Sequence, residues 1–459
     1  MATTIVSRTQ SGAESAAGRR TWTFSCWFKK NKIINGGSNQ ELFGSDSNGA
    51  RTNNYNIIDF NSNDNLDVNG YQSGATFRKI TNRRFRDTNA WYHLVIAFDT
   101  TQSTADDRIK IYINGVRETS FGTSTNPAQD HQGKFFAQNK VHAFGRGSQT
   151  FDGIISHCHA TEGTAYAPTV FGSTDATTGE WKINTSPSVS YGTNGFFLFK
   201  DDNSVNNQAG NSSGNFAVTA GTLTKSEDCP SNVFCTYNPL QQTNGSAGFE
   251  NGNTYFTNGT QWLGVNGTIA ATSGKYYAEF KVTGNTGWGV GVADVDSDAN
   301  STVNLSTSNN GYQSKYTGGK QIFLNGSTII AMENNSTVVN NAGMGNTSFA
   351  NNDIVMVALD LDNNNLFFGK NGTWLRGATE SEIEAGTSTN ATFSGTSFNN
   401  KFWTWSVTTE LENMRMNAGN GFFSTTAVTS AGTNASNNGI FEYDVPDGFT
   451  ALSTKGLNL

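Results

Sequence analysis

Residues 353–375, DIVMVALDLDNNNLFFGKNGTWL, constrain the fold more than any other part of this chain. Ile354 to Leu361 is a branched apolar run of strand length, long enough to be buried on both faces. Asp362-Asn363-Asn364-Asn365 turns the chain, because Asn and Asp tolerate left-handed backbone and bond to it locally. Leu366 to Gly369 returns as a second strand. Asn371-Gly372 then supplies a type I′ hairpin turn, which needs positive φ at both central residues, and Trp374 opens a third strand. The same plan appears half a chain earlier. Trp91 to Asp99 is a strand, a polar turn follows, and Ile109 to Ile113 returns to Asn114-Gly115 and Val116-Arg117. Two copies of strand, Asp-led turn, strand, Asn-Gly and strand predict two sandwiches of one architectural type.

Composition agrees with an all-β chain. Of 459 residues only 15% are charged, 50 are Gly, and the aromatic share of 12% includes 32 Phe and 9 Trp. Such a chain is too poor in helix formers for long helices and too rich in aromatics to be disordered. Its length suits two all-β domains, expected at 1–225 and 248–459 with a linker at 226–247. The net charge of −7 argues against nucleic acid or an anionic membrane as partner. No apolar run approaches the ~20 residues that span a bilayer. The N-terminus lacks the basic and apolar regions of a signal peptide. Four cysteines, Cys26, Cys158, Cys229 and Cys235, are too few for a disulfide scaffold.

Along the chain, TWTFSCWFKK (21–30) alternates cleanly. Trp22, Phe24, Cys26 and Phe28 share one face, which places Cys26 in a core. Residues 1–20 read as extended. Short strands with turn signals between them follow through residue 159, as in a jelly-roll sandwich.

Four stretches, WTFSCWFKK, FRDTNAWYHLVIAFDTTQSTADDRIKIYINGV, FDGIISHCHATEGTAYAP and FGSTDATTGEWK, resemble the laminin-G, concanavalin A-like lectin domain common in tailed-phage virion proteins. GTIAATSGKYYAEF, GWGVGVAD, GYQSKY, NDIVMVALDLDNNNLFFGKNGTW and YDVPDGFTAL resemble a SPRY domain, in that family's order. Between them, CPSNVFCTYNPL resembles the connector of such phage proteins. The resemblance implies two antiparallel β-sandwiches in tandem. It also implies a virion-surface protein on tail or capsid, made without a signal peptide in the host cytoplasm and contacting other virion proteins. The expected activity is non-enzymatic binding of a host cell-surface glycan. The alternative is decoration or cementing of the particle by protein–protein contact. A homo-oligomer, a trimer by resemblance, is expected.

Individual residues were weighed for chemistry. On a strand, His157 and His159 face one way and Cys158 the other, so the three do not share a metal easily. Asp294, Asp296 and Asp298 open like a calcium loop, but Ala299 and Leu305 stand where such a loop needs Gly and Glu. Laminin-G relatives bind calcium at a rim, which makes Asp99, Asp106 and Asp107 the calcium candidates and calcium the one cofactor in view. Arg78, Lys79, Arg83, Arg84 and Arg86 form a basic stretch suited to phosphate or acidic sugar, with Arg83 and Arg84 as its ligand candidates. Tyr312 and Tyr316, on a Gly-rich loop, are the preferred sugar platforms. Trp403 and Trp405 read as core. A glycan hydrolase needs paired carboxylates. Glu380, Glu382 and Glu384 alternate suitably but lie in polar loop sequence without a central Asp, so catalysis is not expected.

Overall fold

The computed structural model describes residues 4–458 except 35, 47–53, 147–148, 201–203, 243–247, 258–262, 285–286, 296–318, 326–327, 334–335 and 346. The chain is all-β and forms two compact units, 1–225 and 226–459.

In the first unit two sheets face each other. One follows the strand order Phe121–Thr125, Ala75–Arg84, Asn65–Gln72, Asn54–Phe60, Gln40–Asp46, Val141–Phe144, Ile5–Thr9 and Ala217–Ala220. The other follows Phe196–Leu198, Gly153–Glu162, Thr21–Lys30, Tyr92–Asp99, Ile109–Ile113 and Val116–Arg117. Period-2 alternation sends Trp22, Phe24, Cys26 and Phe28 into the core between them, as the sequence predicts, against Leu94, Ile96 and Phe98 of the neighbouring strand. Residues 1–20 are not simply extended. Ile5–Thr9 joins the first sheet, and Ala16–Arg20 is a helical turn capped by the Ser15 side chain.

The second unit repeats the two-layer plan with a seven-stranded and a nine-stranded sheet. Its central pair, Lys275–Val282 and Ile354–Asp360, runs antiparallel with Phe280 opposite Val355 and Ala278 opposite Val357. Trp288, Trp403 and Trp405 are fully buried between the sheets. The segment expected as a linker is part of this unit. Phe234 pairs with Ser453, Tyr237–Gln242 pairs with Leu263–Gly267, and Cys235 and Tyr237 lie in the core. Phe234, on the opposite parity, packs on the outer face of the nine-stranded sheet. Alternating apolar residues in VFCTY thus mark a packed segment that leads into the strand Tyr237–Gln242 rather than a connector.

The two Asn-Gly turns are built alike. Asn114 and Gly115 have φ of 50° and 78°, and Asn371 and Gly372 have 47° and 84°. In the first, Asn114 N–H donates to the His93 carbonyl at 2.9 Å and its Oδ1 accepts the His93 N–H at 2.8 Å. In the second, Asn371 N–H donates to the Ile354 carbonyl at 3.0 Å and its Oδ1 accepts the Ile354 N–H at 2.7 Å. The side chain supplies the left-handed conformation and also closes a two-bond ring with the head of the long strand.

Replacement of Asn371 by Ala therefore loses the side-chain bonds to the Ile354 N–H and to Asp353 and adds left-handed strain, about 3 kcal/mol together. Asn371→Gly loses only the two side-chain bonds, about 1–2 kcal/mol. Urea unfolding should rank wild type above Gly above Ala, and an Ala variant as stable as the Gly variant would refute the account.

Candidate functional site

The strand Asn54–Phe60 buries Ile58 and Phe60 in the core, so Tyr55, Ile57 and Asp59 face outward. Its neighbour Asn65–Gln72 buries Leu66 and Val68 and turns Asp67, Asn69 and Tyr71 outward. The turn between them fixes the register. Asn61 Oδ1 accepts the N–H groups of Asn63 at 2.9 Å and Asn65 at 3.2 Å, and Asp64 takes φ 65°. Tyr55 then stands opposite Tyr71, Ile57 opposite Asn69, and Asp59 opposite Asp67. Glu41, on the strand at the other side, pairs with Asp59. Glu41, Asp59 and Asp67 thus form one row across three strands.

The tyrosines form the aromatic part of this face. Their rings stack with centroids 5.3 Å apart at 11°, and both are half-buried. Arg78, with its side chain 47% exposed over a buried Asp67, grips that carboxylate with Nη2 at 2.6 Å and Nε at 3.1 and 3.2 Å. Asn69 Nδ2 donates to Asp67 at 3.3 Å, and Asn39 Nδ2 to Asp59 at 3.1 Å. Asp46 is paired with Arg146. The accessible groups are the two ring faces for CH groups and the Asn69 amide and Arg78 guanidinium for hydroxyls, while Glu41, Asp59 and Asp67 lie buried beneath them. Both Asp67 oxygens are taken by Arg78.

Other expected residues lie elsewhere. Tyr312, Tyr316, Asp296 and Asp298 fall outside the described residues. Asp294 is buried at a strand end, 3.8 Å from Lys401. Asp99 accepts from the Thr101 N–H at 3.1 Å and hydroxyl at 2.6 Å and from Gln102 at 2.6 Å. Asp106 accepts from Asn126 at 2.6 Å, and Asp107 pairs with Lys110 at 3.2 Å. Their partners are turn and strand side chains, and among the described residues no group of three acidic, His or Cys side chains is placed to hold a metal ion.

The basic stretch does not converge either. Arg83 pairs with Glu118 at 2.9 Å and Arg86 with Asp64 at 3.1 Å. Lys79 lies over Phe121, where burial pushes its ammonium down. Arg84 is exposed and forms no ion pair among the described residues. Glu380, Glu382 and Glu384 do not share a strand face, because Glu380–Glu384 is a helical turn closed by a Thr379–Glu382 capping box.

Histidines of the six-stranded sheet sit on its outer face under residues 166–197. A bulge lies between Ser156 and His159, with His157 at φ 45°, yet the facing expected of His157-Cys158-His159 holds, since both histidine rings lie against Phe197, at 5.9 and 4.0 Å. Cys158 remains in the core with Cys26, where burial pushes its thiol up. His159 stacks on Phe197 at 4.0 Å and bonds Tyr191 Oη at 2.8 Å. His93 Nε2 lies 2.9 Å from Ser25 Oγ, a spacing that a serine nucleophile and its base would show. Trp181 Nε1–H, however, donates to His93 Nδ1 at 2.9 Å. Nδ1 is therefore the acceptor and Nε2 carries the proton, so His93 donates to Ser25 and does not activate it.

Comparison with known proteins agrees with this geometry. Residues 7–165 match the laminin-G profile of the concanavalin A-like lectin/glucanases superfamily. Residues 275–387 match the SPRY domain. The chain carries a concanavalin A-like lectin domain followed by a SPRY domain. Both are typically non-catalytic binding domains, which implies carbohydrate or protein binding, and neither match indicates an enzyme. Among solved structures, the SPRY domain of human HERC1 is 17% identical with a TM-score of 0.27, covering 39% of this chain and 96% of that one. The TRIM65 PSpry domain is 11% identical with a TM-score of 0.28, covering 40% and 91%. A heptameric SAP-like pentraxin from Limulus polyphemus is 12% identical with a TM-score of 0.26, covering 36% and 72%. No curated protein matches the sequence.

The site escaped the sequence reading because no single segment holds it. Tyr55 and Asp59 alternate in NYNIIDF, as do Asp67 and Tyr71 in NLDVNGYQ, and the Asn-Asp turn between them was the signal that would have paired the two.

Burial holds the His93 and His142 imidazoles down to about 3. In the unfolded chain they ionise near 6.5, so they subtract stability as pH falls from about 6.5 toward 3. Histidine NMR of the lectin domain should show neither ring titrating between pH 5 and 8.

Proposed function

We propose that this is a phage virion protein, displayed on tail or capsid, that binds a host cell-surface glycan through the Tyr55–Tyr71 face of its lectin domain. One observation carries the reading: a stacked tyrosine pair stands beside Arg78 and Asn69 on a single sheet face. Sugar rings are met by this mixture, with CH groups against an aromatic face and hydroxyls against an amide and a guanidinium. A single shallow site of this kind binds weakly, so display in several copies, as in a homo-oligomer, raises the avidity. The resemblance of both domains to phage modules supports the virion setting and contacts with other virion proteins.

A second reading, particle decoration by protein–protein contact, draws on the SPRY domain. Leu240 and Leu411 are 65% and 60% exposed there. Exposed apolar side chains of this size suit a protein interface rather than a sugar.

The test is a glycan array and whole-cell adsorption with the full chain. Tyr71→Ala and Tyr55→Ala should each weaken glycan binding about tenfold, the equivalent of one lost aromatic contact, with thermal stability close to wild type. A folded protein that binds neither glycans nor cells, but does bind purified capsid or tail, favours the second reading.

A further inference from the structure

The nine-stranded sheet of the SPRY domain has a second, smaller core on its outer face. Residues 438–452 lie across it as a cover. Phe441, Val445, Phe449 and Ala451 pack on Tyr277, Met356, Ala358 and Phe367. Thr450–Ala451 adds a short parallel pairing with Tyr276 and Tyr277.

One carboxyl group fastens the middle of this cover. Glu279, fully buried on strand Lys275–Val282, accepts the backbone N–H groups of Glu442 and Tyr443, each at 2.8 Å. Asn417 Nδ2 donates to it at 3.2 Å and Tyr277 Oη at 3.1 Å. Asn417 also donates to the Ile440 carbonyl at 3.0 Å, so sheet and cover are joined through both residues.

No cation balances this group. Among the described residues Glu279 has no ion-pair partner. Of the charged and titratable side chains on the elements around it, Lys275 is 3.3 Å from Asp360 and lies over Phe449. Lys281 lies over Phe423 and Arg415 over Tyr255. The cover contributes Glu442, Tyr443, Asp444 and Asp447, all acids, and the strand itself Tyr277. A buried charge without a counter-ion is costly. A neutral carboxyl fits the same bonds. Its proton goes to Tyr277 Oη, while the other lone pairs keep the two backbone N–H groups and Asn417.

We propose that Glu279 is a proton-operated latch, which holds the cover firmly when protonated and loosens it when ionised. Burial pushes the Glu279 carboxyl up to about 7 against the bonds from Glu442, Tyr443, Tyr277 and Asn417 that lower it. The folded protein then holds a proton, between about pH 4.5 and 7, that the unfolded chain has released. The latch contributes fully below about pH 4.5 and is lost as pH rises through about 7. The latch acts within the SPRY domain and does not depend on the ligand of the lectin domain.

Hydrogen exchange of residues 438–452 in the full chain, corrected for intrinsic rates, tests this from pH 5 to 8. Wild type should lose protection on the order of a hundred-fold across the range. Glu279→Gln, a neutral isostere, should show little pH dependence. Equal slopes in the two proteins, or protection in wild type that rises with pH, would overturn the proposal. Should Glu279→Gln not fold, carbon-13 NMR of glutamate carboxyls in the wild-type chain decides: one must titrate near neutrality, and a full set titrating between pH 4 and 5 refutes the latch.

Discussion

The hydrogen-bonded ring between an asparagine and the head of a long strand organises both domains. Asn114 with His93, and Asn371 with Ile354, each exchange two bonds, one through the backbone and one through the side-chain oxygen. A one-residue slip would turn every side chain of a strand to the other face, and this ring opposes the slip at the turn. From it follow the inward positions of Leu94, Ile96 and Phe98 in one domain and Val355, Val357 and Leu359 in the other.

The same turns receive the covers that close one outer face of each sandwich. In the lectin domain the Trp181 ring lies where a Cβ on Gly115 would stand, 2.4 Å from the nearest ring atom. In the SPRY domain Tyr443 is against Gly372, 3.0 Å from the corresponding point. Trp181 goes on to bond His93, and Tyr443 presents its N–H to Glu279. A glycine is needed at both turns for positive φ and again for the aromatic ring above it. With the six-stranded sheet of the lectin domain covered in this way, Tyr55, Asp67, Tyr71 and Arg78 stand on the opposite sheet.

The framework was legible wherever period and turn chemistry are local. WTFSCWFKK gave its core face and the Asn-Gly pairs gave the hairpins, because each signal lies within about ten residues. The covers were not legible. Trp181, Tyr191 and Phe441 sit in Gly- and Ser-rich sequence without periodicity, and their place depends on contacts far along the chain. The stretch 226–247, expected as a linker because CPSNVFCTYNPL resembles the connector of phage proteins, belongs to the second unit, and the alternation of Val233, Cys235 and Tyr237 is too short to mark it. The row of Glu41, Asp59 and Asp67 arises from register between three strands, which no single strand encodes.

The pairing of Phe234 with Ser453 has a mechanical consequence. Val233 and Thr454 exchange bonds in both directions, through the Thr454 N–H to the Val233 carbonyl at 2.9 Å and the Val233 N–H to Thr454 Oγ1 at 3.0 Å, and Cys235 N–H reaches the Leu452 carbonyl at 3.0 Å. The two segments are antiparallel. Tension carried through the backbone before residue 233 and after residue 454 therefore enters this pair at one end and peels it bond by bond, instead of shearing all the bonds together. The SPRY domain would yield first at this seam under load, while the central strands, Lys275–Val282 beside Ile354–Asp360, stay paired.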